Sequence, residues 1–360
     1  MTFLSPPLLR PVRLRIDWAL AAAMALHLLF VATFFVILAL ATSQARAEEI
    51  ACRGENLLAT MAQDDPETMK RIKAEAAAIV NGSSLLWRIE KDGAAVSWLY
   101  GTMHTTDPRV LELGATARGA YDDAAVVVVE SSQIVELERA MASLMTDPDL
   151  TMLDAGVTLE GLLSEEDFDL VETVLEERGI PMAFVSRMKP WLIFSMIAVP
   201  DCEIERRAKG IAFLDKDLAT GALDSGKTLE GLETLKEQLS IVSGLPLDVQ
   251  ARLLADTAAL SPVLDDVTAT MTDLYLDGRI DMIMPFVEAA TMETGELDSG
   301  AYAKFEKELI ETRNKTMAER LDPILKDGGA FVAVGALHIP GKDGLVELLR
   351  SDGYTVTAVN

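Results

Sequence analysis

The sequence predicts an α/β fold: a mixed sheet assembled from N- and C-terminal β/α segments, with a large helical middle and an N-terminal signal or transmembrane helix. Three observations predict it. Short apolar, β-rich runs separated by turn residues fall at about 83–131 and again at 328–360. The stretch from about 133 to 292 reads as mostly helical, broken at Asp147-Pro148, Gly179-Ile180-Pro181, Lys189-Pro190 and Gly244-Leu245-Pro246. Ahead of both, a largely apolar run from Trp18 to Ala41 follows Arg10, Arg13 and Arg15.

That first run is an export segment. Ala45-Arg46-Ala47 carries small residues where a signal peptidase reads them, which predicts cleavage after Ala47. Its roughly 24 residues also suffice to span a bilayer of about 30 Å, so retention as an anchor through residues 18–41 is the alternative. In both cases residues 48–360 lie outside the cytoplasm, as a periplasmic or extracytoplasmic domain that the second case tethers to the inner membrane.

Residues 48–80 read as one or two helices, with Leu57, Leu58, Met61, Met69, Ile72, Ala76 and Ile79 at helical spacing. Asp92-Gly93 between Leu85–Lys91 and Ala95–Tyr100 predicts a hairpin. Its second strand runs into Gly101-Thr102-Met103-His104. A helical stretch from Asp107-Pro108 to about Tyr121 leads to Val126–Val129, a run typical of a strand covered on both faces, ending at Glu130. One short strand is expected near Lys227–Leu232. Glu293 to Ala303 is polar and reads as a loop, followed by a helix through Arg313 and Asn314 to Leu325. The chain closes with a strand at Ala330–Val334, a helix near Leu345–Arg350 and a strand at Tyr354–Val359.

The formal charge is −25, and becomes −28 once Arg10, Arg13, Arg15, Arg46 and Asp17 leave with residues 1–47. A duplex nucleic-acid partner is excluded on this balance, since such binding rests on Lys and Arg against phosphates. Two cysteines permit neither a disulfide framework nor a four-cysteine zinc module. Cys52 and Cys202 are either bridged, in an oxidising compartment, or two separate buried thiols.

Of three histidines, His27 lies in the export segment. His104 and His338 share one context: an apolar strand, a glycine, two residues, the histidine, and a proline within four residues. With 23 glycines in 360 positions, the double coincidence has a chance probability of about 0.4%. The glycine lets the backbone leave the strand sharply or approach a ligand closely. The strands ending at Tyr100 and Val129 are separated by a helical crossover and fit a parallel βαβ unit, placing His104 and Glu130 on one rim, where open α/β sheets bind ligands. If the C-terminal unit pairs with them, His338 joins. Two histidines and a carboxylate suit Zn, Mn, Fe or Co. Without a metal, one histidine would act as general base oriented by Glu130. The purely structural alternative has each histidine capping its strand and Glu130 paired with an arginine.

These residues resemble the TraB/GumN family, which includes the Tiki-type metalloproteases. The resemblance rests on Leu86-Trp87-Arg88-Ile89, Leu99–His104, the strand ending in Glu130, Lys189-Pro190-Trp191, Leu214-Asp215, Gly231-Leu232-Glu233-Thr234 with Gln238, Arg313-Asn314, and Val334–His338 with Gly341 and Gly344. It implies a site in which His104, His338 and Glu130 hold a divalent metal (Mn, Co or Zn), lined by Arg313 and Asn314. A guanidinium there would stabilise an oxyanion or grip a substrate carboxylate, and an amide would orient a water or peptide group. Asp215 and Glu233 are either orienting partners behind the ligands or helix-start acids, and Trp191 is core. The expected function is an exported, peptidase-like metal-dependent hydrolase whose substrate is a peptide or small molecule. The alternatives are a non-catalytic haem- or metal-binding protein, with Tyr100 or Tyr121 as axial candidates, and an accessory role in exopolysaccharide export. No nucleotide loop, serine elbow or His-Glu-x-x-His helix is present.

Overall fold

The structure is a computed structural model in which residues 50–294 and 307–359 are described; the export segment lies outside them. Among the described residues no helix is long and apolar enough to cross a membrane. Within the described residues six strands form one mixed sheet in the order β4-β3-β5-β2-β1-β6, where β1 is Leu86–Glu90, β2 Ser97–Thr102, β3 Val126–Val129, β4 Thr228–Gly231, β5 Ala330–Gly335 and β6 Thr355–Val359. The hairpin at Asp92-Gly93 forms as its sequence predicts, with Gly93 at φ +86°, a region open to glycine. It sets β1 antiparallel to β2, pairing Leu86 with Tyr100 and Ile89 with Ser97.

Strands β2, β5, β3 and β4 run parallel, and β6 closes the other edge antiparallel to β1. The sheet therefore draws on both ends of the chain, and the helical middle contributes only the edge strand β4. β2 and β3 run parallel, as their βαβ connection predicts, but they are not neighbours. β5 enters between them, with Leu99 opposite Val332 and Val127 opposite Phe331. An Ala-Phe-Val-Ala-Val strand without a polar residue belongs in that central position, where both faces are covered.

Strand alternation divides the core cleanly. Tyr100, Val127, Val129, Phe331 and Ala333 face one apolar layer, with Met69 and Ile72 of the Pro66–Ala78 helix and Phe286 of the Ile280–Thr294 helix. Leu99, Val128, Val332 and Val334 face the other, with Met317 and Leu321 of the Arg313–Asp327 helix and Leu345 and Leu349 of the Leu345–Ser351 helix. A one-residue slip of β5 would exchange these two sets, so its register is strongly specified. A third apolar cluster belongs to the middle region alone and joins the helices Glu165–Glu177, Pro190–Ile197 and Leu247–Ala259 through Val171, Ile193 and Leu254.

Cys52 and Cys202 are bridged, closing a span of 150 residues. Behind Cys52 the chain is held on the Leu264–Leu276 helix: the Glu55 and Leu57 amides donate to Asp266 and Thr270. Cys202 sits in the first turn of the Asp201–Ala208 helix, which backs the chain segment following β2.

Candidate functional site

Parallel strands put their carboxyl ends on one edge. His104 follows β2, Glu130 follows β3 and His338 follows β5, and all three line one cavity of about 240 Å³. The two histidine-motif glycines serve close packing in different ways. A Cβ on Gly101 would stand 2.8 Å from the Ile339 side chain and 3.0 Å from the Ala336 Cα, so this glycine lets the two motifs pack on each other. A Cβ on Gly335 would stand 3.0 Å from Glu130 Oε1, and the Gly335 amide donates to that same oxygen at 2.7 Å. The Gly335→Ala variant should therefore displace the Glu130 carboxylate, which a shifted Glu130 side-chain position in a crystal structure of the variant would show.

Each imidazole is fixed through Nδ1. The His104 Nδ1 lies 2.8 Å from Asp215 Oδ2, and the other oxygen of Asp215 accepts from Thr102 Oγ1 at 2.5 Å. Asp215 is buried in the first turn of the Leu214–Asp224 helix, where the helix dipole favours a carboxylate. Its charge raises the His104 imidazole to about 9, even though the ring is 55% exposed. Phe213 meets the His104 ring edge-on at 5.2 Å, and Arg207 donates to the His104 carbonyl at 2.8 Å. The two threonines that follow are held by the buried Glu203, which accepts from Thr105 Oγ1 and from the Thr106 amide and hydroxyl.

His338 is buried, and its Nδ1 lies 2.7 Å from Asn314 Oδ1. The orientation of that amide follows from its other contact. Asn314 Nδ2 donates to the Asp343 carbonyl at 2.8 Å, a group that can only accept, so Oδ1 faces the ring and Nδ1 carries its proton. Burial pushes His338 down to about 4, against the pull of Glu130, so at neutral pH the ring is uncharged. Its Nε2 then presents a lone pair toward Glu130 Oε1, 3.6 Å away. Burial would raise the Glu130 carboxyl, but His338, which gains its charge below about 4, together with Arg313, His104 and the Gly335 amide, holds it down at about 2. Two electron-pair donors thus face each other in a buried site, an arrangement that a cation between them would satisfy.

Arg313 opens the Arg313–Asp327 helix directly after a π-helical turn at Lys307–Thr312. Its Nη2 lies 2.6 Å from both Glu130 Oε2 and Glu233 Oε2, and Nε adds two longer bonds to Glu233. Gln238 bridges the same carboxylates from the other side. The guanidinium is thus occupied by two carboxylates rather than open to a substrate anion, and the Asn314 amide by His338 and the Asp343 carbonyl rather than open to water. Trp191 is core, its indole donating to the Leu150 carbonyl. Tyr100 and Tyr121 are buried away from the cavity. Tyr100 stacks on Phe331 and lies 3.5 Å from the Tyr275 hydroxyl, and the Tyr121 hydroxyl donates to the Leu218 carbonyl. Sequence reading missed Thr102, Glu203 and Arg207; only Thr102, inside the first histidine motif, had a local signal.

The donor chemistry fits a divalent metal: both imidazoles have Nδ1 occupied by an oxygen and Nε2 left over, the usual support for a metal-bound histidine. Among the described residues, however, no three His, Cys, Asp or Glu side chains stand close enough together to enclose an ion.

A family model described as the TraB/PrgY/gumN family matches residues 85–358. The chain is 24% identical over 323 residues to metalloprotease TIKI1 of Danio rerio, covering 76% of this chain and 63% of that protein. It is 24% identical to the metalloprotease TIKI homolog of Nematostella vectensis, over 78% of this chain and 68% of the other, and 24% identical to metalloprotease TIKI1 of Homo sapiens, over 76% and 61%. The chain thus spans less than two thirds of the Danio and human proteins. No solved structure matches it.

Proposed function

The chain belongs to the TraB/PrgY/gumN family, and from that premise we propose that it is a metal-dependent hydrolase acting on peptide bonds, with Mn, Co or Zn held by His104, His338 and Glu130. The observation that carries the reading is the His338 Nε2 lone pair facing Glu130 Oε1 at 3.6 Å, with Nδ1 already held by Asn314. The relatives named metalloprotease support the reaction class. The reading includes export of the domain after residue 47, in keeping with a disulfide between Cys52 and Cys202.

When bound, the ion supplies a Lewis acid and a water of lowered pKa. The protein's own part is positional. Asp215 and Asn314 fix the two rings, and Arg313 keeps Glu130 ionised. Because Arg313 is already paired, an oxyanion would have to be stabilised by other groups.

The test is metal content of the full chain after reconstitution. About one Mn, Co or Zn per chain is expected, with His104→Ala and His338→Ala each abolishing it. Equal metal content in the parent and both variants, all folded, would sink the proposal. Asn314→Leu leaves the His338 Nδ1–H unpaired in a buried site and should weaken metal affinity by about 10- to 100-fold, measured by chelator competition.

Protons compete with the metal at His104. The ring is protonated below about 9 in the metal-free protein, so binding at neutral pH should release close to one proton, detectable as a buffer-dependent heat in calorimetry. Affinity should rise about tenfold per pH unit up to about 9 and then lose that slope. A pH-independent affinity between 6 and 8 would contradict the assignment of His104.

A further inference from the structure

Apart from its polar groups, the site cavity is walled by Met103, Met271, Ile283, Met284, Leu309 and Ile310. Of its polar groups, Thr102 closes β2, His104, Glu130 and His338 follow β2, β3 and β5, and Arg313 opens the Arg313–Asp327 helix. Tyr275 also lines the cavity, but its hydroxyl donates to the Gly101 carbonyl. We propose that this apolar half is a specificity pocket for one long, uncharged apolar side chain of the substrate, of methionine or leucine type, next to the bond that is cut. The proposal rests on the metal-dependent peptidase reading above.

Three features determine the occupant. The first is size: an apolar cavity of about 150 Å³ suffices for a benzene ring, so 240 Å³ takes one large side chain together with the reacting group. Continuity is the second, since the same cavity includes His104, Glu130 and His338. The third is charge. The permanent cation among the lining residues, Arg313, is paired with Glu130 and Glu233. A substrate carboxylate or ammonium entering the apolar half would lose its hydration without gaining a partner. Three flexible methionines on the wall favour adaptable fit to unbranched or γ-branched chains over selection of one shape.

The test uses the full chain with Mn and end-capped peptides that differ at one position, carrying Met, Leu, Ala, Asp or Lys. Met and Leu should exceed Asp and Lys by about 100-fold in kcat/KM at that position, and Ala should fall between. Met271→Trp fills the pocket and should shift the preference toward Ala; Met284→Lys should admit Asp. Neither residue belongs to the metal-holding set, so Mn content should match the parent in both. Cleavage with a flat profile across the five peptides, or an unchanged profile in both variants, overturns the pocket. Absence of binding of Mn, Co and Zn alike, or of cleavage of every peptide by the metal-loaded chain, overturns the hydrolase reading instead. In that event the metal-free protein still reads the pocket by calorimetry: Met peptide bound about tenfold or more tighter than Ala peptide, neither of which carries a charge for the His104 imidazolium, supports it, and equal binding overturns it.

Discussion

Replacing Arg313 with leucine should destabilise the protein by about 3–5 kcal/mol, because it strands two buried carboxylates. Arg313, Glu130 and Glu233 are each less than a tenth exposed, and the guanidinium bonds both acids. Breaking a buried pair from one side is worse than never having formed it, since the remaining charge keeps its desolvation penalty. Here two like charges remain. The effect has a pH signature. Glu130 is held at about 2, below its ordinary 4.5. His338 and Arg313 are the charges that hold it there, and the Arg313 share therefore stabilises the native state fully above about 4.5 and fades as pH falls toward 2. The gap between parent and Arg313→Leu in urea unfolding should accordingly be widest near pH 7 and narrow below pH 4.5. Arg313→Lys should be intermediate, because an ammonium keeps the charge but not the two-carboxylate fork. If Arg313→Leu unfolds within 1 kcal/mol of the parent at pH 7, the cluster is far better hydrated than its burial indicates.

Opening the Cys52–Cys202 bridge should remove about 5 kcal/mol by the chain-entropy relation for a closed span of 150 residues. A double Cys→Ser variant and the reduced parent should lose similar stability in the same denaturant series. There is a local consequence as well. The helix that carries Cys202 also carries Glu203 and Arg207, which hold Thr105, Thr106 and the His104 carbonyl. Amide exchange at residues 104–106 should therefore speed up on reduction more than exchange in β5. Uniform acceleration would mean that the bridge acts only on the unfolded chain.

The candidate site was legible in outline because each of its three residues follows directly on an apolar strand, and parallel strands align their carboxyl ends. Glycine three residues before each histidine marked the same places, and for Gly335 the reason is specific: a Glu130 oxygen occupies the space of its Cβ. Strand order was not legible. Nothing local in Ala330–Val334 says that it pairs with both β2 and β3, since every parallel partner offers the same apolar faces. The roles of Arg313 and Asn314 were obscured for a related reason. Adjacent in sequence, they point to different partners, one to the glutamates and the other to His338, a division set by the helix start and the π-helical turn before it.

The central position of β5 has a consequence for the order in which the protein is made. β2 and β3 leave the ribosome early, and each exposes an unpaired inner edge until residues 330–335 arrive between them. At about 5–20 residues per second, that interval lasts at least ten seconds. A product ending between residues 292 and 330 would retain the whole helical middle, yet have neither a closed sheet nor a binding site, and would present two bare edges to other unfinished chains. Premature stops between residues 292 and 330 should therefore yield aggregates rather than partly working fragments.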